Sequence, residues 1–449
     1  MKRKVVIFYL VIATLLIFEL FLSSEFRTEV FTIIFLESQT LFLLLSAIFT
    51  GRYIMRHAWS DVYFLFLFTF TLFLLSRVFL DLFGLFDLQV GTFLASGLIF
   101  SYAETAELLI YLSLFLCFFQ IGSICFSCQK INTKVTIKKS YPYEKLGLIL
   151  FFLGLPGNYI TVSTIYEYSL AHSYLDLYTA TKASFGIPWY ATGSATICLI
   201  GYMFFVASIP SKRKFIFISS IYFIIWLFTL LAGSRGAPIV YLLYCTWYYY
   251  TFISTAKLRK RNMFIMAGGG VLLLQFIALS REKADVVAIS LSKVFAQFFS
   301  DQGTSLLILQ VMIKYKNELL STELPYVITS SIRPILNYIP ELGSELGGKM
   351  NEILFAYPGA SLGSSFIAEL YDLGIIGFVV MSFVVGVFIE WYPRVCTYNR
   401  VALFMSMIFI RNMIWMPRGS FFPNLTEILF PLVVLVFFGF ILKFKKNTS

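Results

Sequence analysis

The sequence is short of charge, cysteine and histidine, and each shortage excludes something. Charged residues make up 13% of its 449 positions and hydrophobic ones 59%, against about 25% and about 45–50% in soluble globular proteins. With a mean hydropathy of +0.82, too little polar surface remains to cover a water-soluble body of this size. That excludes a soluble enzyme, a nucleic-acid binder and a disordered chain. Six cysteines, most of them inside apolar runs, make no disulfide framework. Cys125 and Cys128 form a single C-x-x-C with no second pair, which reads as two inert thiols at a helix end. The two histidines, His57 and His172, are too few for a His-ligated metal site, and neither metal nor cofactor is expected.

What the chain has in quantity is long apolar runs. About 20 such residues cross about 30 Å of hydrocarbon as a helix. Twelve segments qualify: 5–22, 33–50, 62–83, 106–126, 146–164, 187–208, 215–232, 237–254, 263–279, 364–389, 401–416 and 425–442. The first follows Met1-Lys2-Arg3-Lys4 but no small-residue cleavage site comes after it, so it is expected to be a retained helix. The runs are continuous and do not alternate, which excludes an outer-membrane barrel. The expected fold is an all-α polytopic membrane protein of about twelve transmembrane helices.

The net charge of +11 is explained by where the cations sit. With a cytoplasmic N-terminus and alternating loops, the inner segments collect 22 of the 35 Lys and Arg residues. They cluster at 2–4, 52–56, 130–145, 212–214, 257–261, 394–400 and 443–446. The positive-inside rule then places both termini in the cytoplasm, and the charge needs no anionic partner. The chain divides into nine helices over 1–279, a large outer loop over 280–363, and three helices over 364–449. Within the loop, Val286–Phe299 and Leu306–Tyr315 read as amphipathic stretches between prolines, suited to short helices at the membrane interface.

Ionisable groups at the outer ends of spans are costly and invite a functional reading. Gly233-Ser234-Arg235-Gly236-Ala237-Pro238 is a tight turn that presents one guanidinium to the outer leaflet; a snorkelling arginine would look the same. At the start of span ten, Ser365, Glu369 and Asp372 fall at i, i+4 and i+7, on one helix face. A carboxylate among apolar neighbours there suits a general base, or a buried structural ion pair. Gly374, Gly377 and Gly386 beyond it allow a close helix neighbour. Arg411 and Arg418 are about two turns apart, placed to flank a pyrophosphate or to pair with Glu369, Asp372 or Glu427. Arg77 and Asp81, at i, i+4, are expected to neutralise each other. His172, in an aromatic outer loop, has an ordinary pKa close to neutrality and is an alternative base. The sequence contains no P-loop, no H-E-x-x-H and no D-x-D cluster for a metal-bound sugar nucleotide.

These residues resemble those of the Wzy-type O-antigen polymerases, also called oligosaccharide repeat-unit polymerases. The resemblance is carried by Gly233-Ser234-Arg235-Gly236, by Asp301-Gln302-Gly303 with Ser305-Leu306, by Gly363-Ser364-Ser365 through Glu369, Tyr371, Gly374, Gly377 and Gly386, and by Arg411 and Arg418. It implies a glycosyltransferase of the bacterial inner membrane with one large periplasmic loop, related in fold to the C-type lipid-sugar glycosyltransferases. It implies that a growing glycan on undecaprenyl pyrophosphate is moved onto the non-reducing end of a new lipid-linked repeat unit, in O-antigen and lipopolysaccharide biosynthesis. Pyrophosphate binding is then expected of Arg235, Arg411 and Arg418, and proton transfer of Glu369, Asp372 or His172. The partners it implies are lipid-linked oligosaccharides and the bilayer, with a chain-length regulator as a further candidate. Two alternatives stay open. An O-antigen ligase would be expected to carry a histidine in the long loop, and 280–363 has none. A lipid-linked oligosaccharide flippase would be expected to show two matching halves.

Overall fold

The Ser101-x-x-Glu104 pattern starts the helix around which half of the molecule is built. The Ser101 backbone N–H donates to Glu104 Oε2 at 2.7 Å and the Glu104 N–H donates to Ser101 Oγ at 3.2 Å. This reciprocal capping box satisfies two donors that a helix start otherwise leaves orphaned.

The computed structural model describes residues 2–21, 30–91, 98–127, 135–171, 186–231, 236–254, 256, 258, 261, 291–316 and 365–447. In chain order the helices are α1 (Lys2–Phe21), α2 (Val30–Phe49), α3 (Val62–Phe70), α4 (Ser76–Leu82), α5 (Tyr102–Ser127), α6 (Tyr141–Ala171), α7 (Trp189–Ala207) and α8 (Lys212–Leu231). They continue as α9 (Gly236–Tyr248), α10 (Leu291–Gln302), α11 (Thr304–Lys314), α12 (Phe366–Tyr371), α13 (Gly374–Val395), α14 (Arg400–Trp415) and α15 (Leu425–Asn447). A π turn at Thr71–Leu75 joins α3 to α4, and a 3-10 turn at Met416–Arg418 follows α14.

The chain is an all-helical, multi-pass membrane protein. Eight described helices are long and apolar enough to cross a bilayer: α1, α2, the α3–α4 rod, α5, α6, α7, α8 and α13. Three more of the twelve expected segments are helical but do not reach that standard. α9 has 13 residues, α14 has 16, and the apolar part of α15 counted for spanning ends at Phe438. The segment 263–279 lies outside the described residues. The tenth expected span is broken near its start, because α12 stops at Tyr371 and Gly374 adopts φ +69°, a left-handed conformation that glycine takes without strain.

The described chain forms two units: 1–131, 285–391 and 412–424 make the first, and 132–284, 392–411 and 425–449 the second. In the first, α5 is buried along most of its length. It crosses α13 at a reciprocal pair of glycines. A Cβ on Gly122 would lie 2.2 Å from the Phe383 carbonyl oxygen, and one on Gly386 would lie 2.1 Å from that of Phe119. Ser123 Oγ donates to the Gly386 carbonyl at 3.2 Å across the same contact. Small residues substitute here for the hydrophobic drive that lipid cannot supply. α11 departs most from the sequence reading: where an amphipathic interfacial stretch is expected, Ser305–Ile313 are buried on every side. At about 16 Å it is too short to span the membrane, and the burial of its polar Gln310 is met by a 2.8 Å bond to the Leu88 carbonyl. In the second unit, α6 and α7 pack through Gly154 and Gly201, where an added Cβ would come within 2.2 Å of Cys198 N and Phe151 N respectively.

Candidate functional site

The polar groups of interest gather in the first unit around the short helix α12. All six of its residues are buried, and Glu369 has 0% of its surface exposed. Glu369 Oε2 accepts the backbone N–H of Phe421 at 2.8 Å. Asn412 Nδ2 donates to the Phe421 carbonyl at 3.0 Å, so that residue is held from both ends of its backbone. Between Asn412 and Phe421 the chain leaves α14 at the Met416-Pro417-Arg418 turn. Gly419 then lies against the Trp415 indole, where a Cβ would approach Cδ1 to 2.7 Å.

Arg418 is the side chain this strap presents. Its Nη1 donates to Gln302 Oε1 at 2.8 Å, and its guanidinium carbon lies 5.2 Å from the Phe73 ring centre and 5.7 Å from that of Trp415. Among the described residues one of its five N–H donors is engaged and no carboxylate pairs with it. Such a half-buried guanidinium, fixed by neutral groups, keeps its charge available.

Gln302 is placed by an unexpected cap. Ser76 Oγ donates to the Phe299 carbonyl at 2.8 Å and Arg77 Nε to the Ser300 carbonyl at 3.0 Å. Both side chains thus serve the C-terminus of α10, where a cation is favoured. Gly303 makes the approach possible, since a Cβ there would stand 2.5 Å from Arg77 Cγ. The expected mutual neutralisation of Arg77 and Asp81 is not among the contacts of the described residues: Arg77 serves α10 instead.

On the other side of α12 a second polar group forms. Glu107, one turn into α5, accepts the Tyr371 hydroxyl at 2.9 Å and the Lys316 ammonium at 3.1 Å. Tyr111 meets Tyr371 edge-on with ring centres 4.7 Å apart.

Of the residues named from the sequence, Glu369 and Arg418 come together through the 418–421 strap. Asp372 follows α12 and is half-buried. Ser365 is not on the same helix face as these two, because it precedes α12 in extended conformation (φ −124°, ψ 119°); its Oγ is buried without a hydrogen-bond partner among the described residues. Arg411 belongs to the second unit, and its Nη2 lies 3.5 Å from Glu427 Oε2. That is the ion pair held open as its alternative, and with both side chains partly exposed it is worth little. Arg235 and His172 lie outside the described residues.

The roles of Gln302, Asn412, Glu107 and Lys316 are not legible from the sequence reading. Glu107 did leave a signal, as a carboxylate one turn past a capping box in an otherwise apolar run. Gln302 left only its place in the Asp301-Gln302-Gly303 motif, and Asn412 left no signal, because an uncharged amide in a helix is ordinary until its partner is known.

The comparisons bear on the whole chain. No curated protein and no solved structure matches it significantly. The family model described as O-antigen polysaccharide polymerase Wzy matches residues 5–448, from the first turn of α1 past the end of α15. A match of that extent, on a multi-pass helical chain, means that this protein belongs to the O-antigen polysaccharide polymerase Wzy family.

Proposed function

We propose that this polymerase joins lipid-linked repeat units at the periplasmic face of the inner membrane. In this reading the growing glycan leaves undecaprenyl pyrophosphate and is attached to the non-reducing end of a new repeat unit. Both termini are cytoplasmic, twelve helices cross the bilayer, and 280–363 is periplasmic. The observation that carries the reading is Arg418, a fixed guanidinium with no carboxylate pairing among the described residues. A glycosyl pyrophosphate is already activated, and breaking its C–O bond places the electron pair on the departing pyrophosphate. A preorganised cation stabilises that charge without reorganising during the reaction. Arg235 and Arg411 are the further arginines proposed to meet the leaving group.

The acceptor hydroxyl must lose its proton as it attacks the anomeric carbon. Of the three groups named for this, Asp372 is half-buried at the helix break, Glu369 is fully enclosed, and His172 lies outside the described residues. Asp372 takes the role here, with His172 as the alternative. Arginine charge serves in place of a metal ion, so polymerisation is expected to survive a chelator. A chain-length regulator is a further proposed partner.

The test is the lipopolysaccharide of a strain lacking the gene. Loss of the ladder with a single repeat unit kept on the core supports a polymerase. Complete loss of O-antigen from the core, with lipid-linked polymer accumulating, means a ligase instead. For the site, Arg235→Lys, Arg411→Lys and Arg418→Lys are compared at equal protein levels. Lysine lacks the planar fork, and normal ladders in all three would end the arginine reading.

A further inference from the structure

We propose that Glu369 is a positioning residue, whose carboxylate fastens the 418–421 strap and thereby fixes the Arg418 guanidinium at the anion site. The proposal rests on the reading of Arg418 as an anion-binding group.

Three observations carry it. The first is enclosure. A general base must come within about 2.6–3.2 Å of the proton it takes, directly or through one water. Glu369 is wholly buried and spends Oε2 on the Phe421 N–H at 2.8 Å. The second is that this bond is half of a clamp: Phe421 is gripped at its N–H by Glu369 on α12 and at its carbonyl by Asn412 on α14. The strap cannot shift without breaking one of them. The third is what the strap carries. Arg418 lies three residues before Phe421 and is seated against Gln302, Phe73 and Trp415. Among the described residues its partners are neutral, and the Glu369 carboxylate acts on the strap at Phe421. A carboxylate paired directly with Arg418 would compete with a phosphate for it.

The chemistry of the anchor separates this role from that of a base. A backbone N–H needs an acceptor, which a glutamine side-chain oxygen also supplies, more weakly than a carboxylate. A proton acceptor in catalysis needs the carboxylate itself. Glutamine therefore rescues a strap and does not rescue a base.

The experiment uses the purified full-length protein in lipid, with lipid-linked repeat unit as substrate and inorganic pyrophosphate as an inhibitor probe. Glu369→Gln, Glu369→Ala, Asn412→Leu and Arg418→Ala are compared at matched amounts of folded protein. Glu369→Gln is expected to stay within about threefold of wild type in turnover, with the same pH profile. Glu369→Ala is expected to lose about tenfold or more and to be inhibited correspondingly less by pyrophosphate. Asn412→Leu leaves Glu369 in place and frees the other end of the clamp, so it should weaken pyrophosphate inhibition too, and it serves if Glu369→Ala does not fold. A loss of about 100-fold in Glu369→Gln, with pyrophosphate inhibition intact, would overturn the proposal in favour of a base. Wild-type pyrophosphate inhibition in Asn412→Leu would overturn it as well. Wild-type turnover and inhibition in Arg418→Ala would instead defeat the underlying anion-site reading.

Discussion

His57 and Arg418 are both cations of the first unit, and they are held in opposite ways. His57 sits between two carboxylates, with Nε2 at 2.7 Å from Glu390 Oε1 and Nδ1 at 3.2 Å from Asp61 Oδ2. Tyr63 stacks on the ring at 5.0 Å, and Arg52 Nη1 donates to the His57 carbonyl at 2.8 Å. A carboxylate beside each ring nitrogen favours the imidazolium over the neutral ring. Burial works against that charge, but Glu390 and Asp61 more than reverse it, raising His57 to about 9. Arg418 has an amide and two aromatic rings instead. One cation is neutralised in place and locks the 52–61 turn to α13; the other is held rigidly with no carboxylate beside it among the described residues. Rigidity is common to both, and only the counter-charge separates a structural lock from a site that can receive an anion.

The comparison is broken most severely at the lock. His57→Ala removes the imidazolium that faces buried Glu390, and breaking a buried ion pair costs about 3–5 kcal/mol. It should lower the thermal midpoint and the yield of folded protein, and an unchanged midpoint would mean the pair is not structural. At the other pole, Arg418→Ala should lower turnover by about 100- to 1,000-fold, the scale of losing one preorganised charge-stabilising donor, while the midpoint stays near that of wild type. A variant that unfolds without first losing activity would place Arg418 with His57.

The lock also has a pH signature. A histidine whose folded pKa lies above its unfolded value of about 6.5 contributes its full stabilisation below pH 6.5. That stabilisation fades as pH rises through about 9. Up to about 3 kcal/mol is at stake, at 1.36 kcal/mol per unit. Unfolding measured from pH 6 to 10 should show this loss in the wild type and not in His57→Ala. The smallest effect sharpens the open pole: Gln302→Leu removes one hydrogen bond from Arg418 without removing its charge. It should cost about tenfold in turnover, the low end for a bond to a charged group, and full activity would mean that the two aromatic rings are sufficient to hold the guanidinium.

The helices were legible because each is decided by a short stretch of chain. Lys2–Phe21, Val62–Leu82 and Tyr102–Ser127 lie within a few residues of where apolar length places them. The break between Tyr371 and Gly374 was not legible, since a glycine within an apolar run reads as helix packing until its φ of +69° is seen. α11 misled for a related reason: its amphipathic pattern says that one face is polar, not that Leu88 waits to accept a bond from Gln310. Within the candidate site the sequence pointed to Glu369 and Arg418 as functional. It read them as a base and as half of an arginine pair, and the relation between them was out of reach.

By itself the sequence determined that this is a polytopic helical membrane protein, and the family its residues resemble. Both follow from local chemistry: about 20 apolar residues must satisfy their own backbone in lipid, and motifs are read along the chain. Only the tertiary structure decided which charges are compensated. Gln302 and Arg418 are 116 residues apart, Glu369 and Phe421 are 52 apart, and Glu107 and Tyr371 are 264 apart. Whether a buried charge is a lock or a site depends on the partner that folding brings to it, and no spacing along the chain encodes that partner.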